Sequence, residues 1–219
     1  MAFSVAQTIQ FDDLTGSTSW TKSSISTTVG NLLIIAVGVR SSSAASVTDS
    51  AGNTWSVAAT ATNSNTATIL YAQNAAAITS YTINGNGLSR MMSQFYEVSG
   101  AGSVLVDASS TSTGSSSSIT SGASGTPSGA ADIAIGIAIQ GNDSTFSAGT
   151  FTSGAGTEVL HNSAQTACVT GETGSLILSS ATAQTYTASS NISQAWVGAV
   201  CLWKPAPAKG GTMGLMGVG

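Results

Sequence analysis

Three features of the sequence predict an all-β fold, a jelly-roll-like sandwich of two antiparallel sheets. Gly and β-branched residues recur throughout, and no segment sustains a helical period, so little favours helix. Short alternating runs are punctuated by turns rich in Asp, Asn, Gly and Ser. The run Ile35-Ala36-Val37-Gly38-Val39 has a near-copy, Ile133-Ala134-Ile135-Gly136-Ile137, about a hundred residues later. In both copies bulky β-branched residues alternate with Ala and Gly, giving one full face and one nearly flat face. A central strand looks like this when a core packs on one side and something lies very close on the other.

The elements follow in order. Residues 2–10 alternate weakly and predict a short edge strand. Adjacent acids and a Gly in Phe11-Asp12-Asp13-Leu14-Thr15-Gly16-Ser17 predict a turn. Residues 18–28, Ser/Thr-rich around Trp20, suit a half-exposed strand, and 31–40 form the first central strand. Asp49-Ser50-Ala51-Gly52-Asn53 lies between Val47-Thr48 and Thr54-Trp55, which predicts a hairpin with its return strand at 55–61. Strands are expected at 66–73 and 80–84, and Asn-Gly pairs after Ile83 predict a turn. Residues 90–98, apolar on both faces, form a second central strand. A short strand at 104–107 leads into the low-complexity stretch 109–128, read as a crossing between halves, part loop and part edge strand.

The second half then repeats the first loosely. Short strands are expected at 158–161, 167–170, 176–178 and 185–187. Residues 194–203, with Trp196, Val200 and Trp203, answer the strand of Phe95 and Tyr96. No Pro- or charge-rich boundary separates the copies. Residues 1–203 therefore read as one domain with pseudo-repeats at about 18–107 and 118–203. Residues 204–219 form an extended Pro/Gly/Met tail. Its Met213, Leu215, Met216 and Val218 make an adaptable apolar plug, and they are the candidate contacts to a partner subunit.

Composition narrows the function. Charged residues are only 6% of the chain, against roughly a quarter in ordinary soluble domains. Such a surface suits a secreted sandwich, or a protein that spends its life inside an assembly. With a net charge of −4 and only 5 Lys and Arg, no basic stripe is present to grip nucleic acid. No apolar run approaches the ~20 residues of a membrane-spanning helix. Residues 1–7 lack the charged head and apolar run of a signal peptide.

The chemistry-bearing residues point away from catalysis. His161 is the only histidine, no G-x-S-x-G elbow surrounds a serine, and a surface or satisfied-core role is expected for it. Paired carboxylates for glycoside hydrolysis would come from Glu97, Asp107, Glu158 and Glu172, but spacing selects no pair. No catalytic residue, cofactor site or metal site is assigned. Asp49 and Asn53 faintly resemble a calcium loop, yet a turn held by the Asp side chain explains them without metal. Glu97, inside an apolar strand, is expected to be a buried acid answered by Arg90, Arg40 or backbone amides. Trp20, Trp55, Trp196 and Trp203 would make a carbohydrate platform if coplanar and exposed; spread across strands, they read as core. Cys168 and Cys201 read as two buried thiols, with a disulfide open if their strands face each other.

Several stretches resemble landmarks of a bacterial and phage β-sandwich module found in large surface proteins and among virion structural proteins. They are Asn31-Leu32-Leu33, the run Val47 to Trp55 quoted above, Tyr71-Ala72-Gln73-Asn74, and Tyr96-Glu97-Val98-Ser99-Gly100. The resemblance covers roughly residues 30–203 and implies a fold rather than any catalytic residue. With no signal peptide at Met1, it implies a virion protein made in the host cytoplasm: a capsid decoration (cement) protein or a head or tail appendage. Its partners would be other virion proteins and copies of itself, a trimer or other closed ring fitting best. The rivals are a receptor- or glycan-binding adhesin domain and a secreted glycan-active enzyme.

Overall fold

The computed structural model describes residues 3–100, 104–141, 144–161 and 169–205. Two halves each contribute six strands. The first holds β1 (Ser4–Ser23), β2 (Leu32–Val39), β3 (Ser46–Asp49), β4 (Ser56–Thr62), β5 (Thr66–Ala72) and β6 (Ser80–Ser99). The second holds β7 (Val104–Thr120), β8 (Ile133–Gly141), β9 (Phe146–Phe151), β10 (Thr157–His161), β11 (Val169–Ile177) and β12 (Tyr186–Pro205). Each half forms one antiparallel sheet, in the order β1-β6-β2-β5-β4 with β3 also on β6, and β10-β11-β8-β12-β7 with β9 also on β12. Strand for strand the two sheets share one topology, so the duplication is structural as well as textual.

The long strands roll each sheet over its own face. The second part of β6 pairs with β2 and its first part with β3, so the β3 end curls over the bulky face of β2. Leu33, Ile35, Val37 and Phe95 there enclose a core with Trp20, Val47, Tyr81 and Ile83. The second half closes likewise around Phe146, Phe151, Tyr186, Trp196 and Val200. A third cluster lies between the sheets, where Leu32, Ile34, Ile69, Met92 and Tyr96 meet Ile133, Ile135, Ile137, Ile139, Val197 and Trp203. The molecule is a β-sandwich whose two leaves are themselves rolled.

Face to face, β2 lies over β8 at the centre, with β1 near β10 along one seam and β4 near β7 along the other. A two-fold axis running along the central strands would generate this order. At that axis the two near-copies present opposite faces. Pairing of Leu32 with Val98 and of Ile133 with Trp203 makes Leu32 and Ile133 equivalent, three residues out of step with the textual match, and an odd shift swaps the faces. The tapering face of β2 (Ala36, Gly38) therefore meets the isoleucine face of β8. A Cβ on Gly38 would lie 2.9 Å from Ile139 Cγ2. The flat face of β8 turns instead to its own lobe, where a Cβ on Gly136 would lie 2.3 Å from the Tyr186 ring.

Several expectations are corrected. The Asp13–Gly16 stretch is no turn: β1 runs through it with a register shift between Asp13 and Ser17, eased by Gly16 at φ 80°. The Asn-Gly pairs after Ile83 do not turn either, because β6 is continuous; Gly85 is needed where the Trp20 ring lies, 2.9 Å from any added Cβ. The Asp49 turn does not close a hairpin, since β3 pairs with β6 and β4 with β5. The Ser/Thr-rich stretch is part edge strand and part loop as expected, but its strand is β7, continuous from Val104, which pairs with β12 and heads the second half instead of crossing between halves. The repeats accordingly begin at β1 and β7 rather than near residues 18 and 118.

Gly38→Val should overpack the axis and destabilise the protein by about 1–3 kcal/mol in denaturant unfolding. Adding Ile139→Ala to that variant should return part of the loss, a coupling measurable as a double-mutant cycle.

Candidate functional site

His161 and most of the described acids are drawn inward, and most of these cluster in or against the second half. Strand β10 places His161 opposite Gly171 at the β1 seam, with its ring buried. His161 Nδ1 lies 2.8 Å from Asp12 Oδ1, and Nε2 lies 3.0 Å from Thr173 Oγ1. Gln10 Nε2 donates to Asp12 Oδ2 (2.7 Å) and to the Leu160 carbonyl (3.1 Å), and the Ser93 amide donates to Asp12 Oδ1 (3.2 Å). Acid, imidazole and hydroxyl stand in the order of a hydrolytic triad. Thr173 is 0% exposed, however, so its hydroxyl reaches no substrate. What the chain does is bind the halves: Gln10, Asp12 and Ser93 come from one, His161 and Thr173 from the other.

Of the four candidate carboxylates, the structure brings Glu158 and Glu172 together. Glu158 lies over Gly174, where a Cβ would stand 2.4 Å from Oε2, and it accepts a 2.5 Å hydrogen bond from the Tyr186 hydroxyl. Glu172, fully buried, accepts from the Gly149 amide. The two carboxyls lie near enough to influence each other's protonation. Burial first, then the charge of Glu158, pushes Glu172 up to about 8. Burial also raises Glu158, against the opposing bond from Tyr186. Glycoside hydrolases hold their carboxyls some ~5–10 Å apart with the sugar between them; Glu172 is 0% exposed, so no sugar reaches it.

Glu97 is buried as expected, and of the expected partners a backbone amide answers it, joined by two side-chain amides. Gln7 Nε2, the Thr28 amide and Asn31 Nδ2 each donate at 2.6 Å. Asp107 accepts from Lys204 Nζ at 2.7 Å and from Ser128, and lies beside Asp132. Asp132 went unnoticed in the sequence. Its one signal is position, an acid directly before the Ile-rich β8.

The remaining candidates are structural. Asp49 Oδ1 accepts from the Ala51 and Asn53 amides (2.8 and 3.3 Å) and Oδ2 from Trp55 Nε1 (2.7 Å). Asn53 pairs both ways with the Ala76 backbone. Trp20, Trp196 and Trp203 are buried, so the four tryptophans form no exposed platform. Cys201 is a free, buried thiol; Cys168 lies outside the described residues, as do Met213, Leu215, Met216 and Val218. A surface cleft of about 340 Å³ opens between Val5 and residues of β10 and β11, among them Thr157 and Leu176, with no titratable side chain in its lining.

Outward, the rolled lobes present matching ladders of short polar side chains. Thr21, Thr82 and Thr48 align across β1, β6 and β3, with Ser19, Asn84 and Ser46 in the neighbouring row. Thr120, Thr187 and Thr150 align across β7, β12 and β9, beside Ser118, Ser189 and Ser147. Hydroxyls meet across strands at 2.9 Å (Thr21, Thr82) and 3.2 Å (Thr150, Thr187). No family model, curated protein or solved structure matches the chain.

Because the Glu172 carboxyl is raised from 4.5 to about 8, the folded protein holds its proton more tightly than the unfolded chain does. Stability should therefore fall as pH rises through that window, by at most ~1.4 kcal/mol per pH unit. Glu172→Gln, which keeps an acceptor for Gly149, should make the decline shallower in unfolding titrations between pH 5 and pH 9.

Proposed function

We propose that the chain is a non-enzymatic structural protein of a virion, a capsid decoration (cement) protein or a head or tail appendage. The observation that carries this reading is the contrast between interior and exterior. Glu97, Glu158, Glu172, Asp49, Asp107 and His161 all bond within the protein, and Asp132 is buried. Both lobes turn uncharged Ser/Thr ladders outward. A face without charges docks against another protein with little desolvation cost. Buried apolar area at the same contacts adds about 25 cal/mol per Å² before ordering costs.

The resemblance of the β2, β3–β4 and β6 stretches to a phage and surface-protein module supports the same reading. Partners would be other virion proteins and further copies of this chain in a closed ring, with residues 210–219 as an additional anchor. The glycan-binding alternative loses its aromatic platform to the core, since Trp20, Trp196 and Trp203 are buried.

Quantitative mass spectrometry of purified particles tests the proposal. The chain should be present in fixed stoichiometry, Thr82→Lys and Thr187→Lys should lower its incorporation several-fold, and removing residues 210–219 should lower it further. Absence from particles, with binding on a glycan array, would overturn the proposal in favour of an adhesin.

A further inference from the structure

The bulge that carries Asp107 has a twin. In β1, Val5 pairs with Val98 and Gln7 with Glu97, leaving Ala6 as the extra residue. In β7, Val106 pairs with Trp203 and Ala108 with Leu202, leaving Asp107. A bulge turns the extra side chain away from the ladder and aims it elsewhere. The residues around it correspond too. Asn31 precedes β2 as Asp132 precedes β8, and Ser99 follows Val98 as Lys204 follows Trp203. The architecture thus tolerates Ala6, Asn31 and Ser99 at these three places. The second half instead gathers an amine and two carboxyls there.

Their arrangement exceeds what an ion pair needs. Lys204 Nζ lies 2.7 Å from Asp107 Oδ1, and the Asp107 side chain is only 6% exposed. The Ser128 amide donates to Asp107 Oδ2 at 2.5 Å and its hydroxyl to Oδ1 at 3.0 Å. Asp132 is wholly buried against Asp107, and neither of its oxygens meets a donor from the rest of the protein. A salt bridge between Lys204 and Asp107 gains nothing from a second, buried acid; unsatisfied burial is a cost that Asn or Ser would avoid. Burial first, then the nearby Asp107 carboxylate, raises Asp132 to about 7, so near neutrality it holds a proton much of the time.

We propose that Lys204 and Asp107 become joined by an intramolecular isopeptide bond, with Asp132 as the proton carrier of the condensation. Across the 2.7 Å contact the ammonium passes a proton to the Asp107 carboxylate, leaving an amine beside a carboxylic acid. The amine nitrogen attacks Asp107 Cγ, a reaction favoured by enforced proximity. Asp132 protonates the departing hydroxyl and takes a proton back from the nitrogen. A C–N bond forms, a C–O bond breaks and one water leaves; Asp132 ends as it began. No oxidant, metal or other reactant is required. The product ties the last residues of β12 to β7.

Intact-mass measurement of the purified full chain at neutral pH tests this directly. The folded protein should weigh one water less than its sequence. Cleavage after Glu97, Glu158 and Glu172 places Asp107 and Lys204 in separate peptides, and these should appear as one branched species. That pattern distinguishes the crosslink from a succinimide at Asp107, which also loses water but joins nothing. Lys204→Arg, which keeps the positive charge, should restore the full mass and the separate peptides while circular dichroism remains that of the folded chain. Asp132→Asn should do the same, or leave only a small crosslinked fraction. Full mass in the folded wild-type chain, or a water loss that persists in Lys204→Arg, would overturn the proposal. Undiminished crosslinking in Asp132→Asn would overturn the role given to Asp132.

Discussion

The contact between the tapering face of β2 and the isoleucine face of β8 governs the rest of the molecule. Gly38 has no side chain, so Ile139 reaches into the space it leaves. With the centre set by that fit, each sheet lays out its neighbours on either side, and the two outer seams follow. Two identical bulky faces could not approach in this way. The duplication is therefore complementary at its axis: one copy has kept volume where the other has lost it. Within the second lobe the same logic is met differently, the flat face of β8 being filled by the Tyr186 ring against Gly136.

The strand class, the central position of both repeats and the absence of helix were legible because they depend on local alternation. What escaped was decided by distant partners. Asn84-Gly85 has the chemistry of a turn, but Trp20 from another strand needs the space above Gly85, and β6 continues. The residues after Asp49 look like a hairpin, but β3 finds a better partner in β6. The Ser/Thr stretch of β7 carries little apolar signal because as an edge strand it buries little; its partner β12 supplies the order. At the site level, the list of candidate acids contained Glu158 and Glu172. Which two would meet depends on the β10–β11 register, and that no spacing reveals.

The halves have also diverged in chemistry. In the first, Glu97 is a lone acid satisfied by neutral donors. In the second, Glu158 with Glu172 and Asp107 with Asp132 are carboxyl pairs, and His161 reaches across the seam to Asp12. A duplicated scaffold allows this, since one copy can hold the fold while the other accumulates costly buried groups. Outward, the two remain alike, each presenting uncharged threonine ladders. The shared exterior fits a role in contact and assembly, and the divergent interior fits one in fastening the chain together.

The placement of β12 has a mechanical meaning. Along most of its length it is flanked on both sides, by β7 on one edge and by β9 and then β8 on the other. A pull on the chain beyond Pro205 acts along the strand axis, loading these backbone hydrogen bonds in shear. They must then yield together, whereas a strand peeled from an edge gives up its bonds one by one. Along that direction the pairings of β12 share the load instead of failing one at a time.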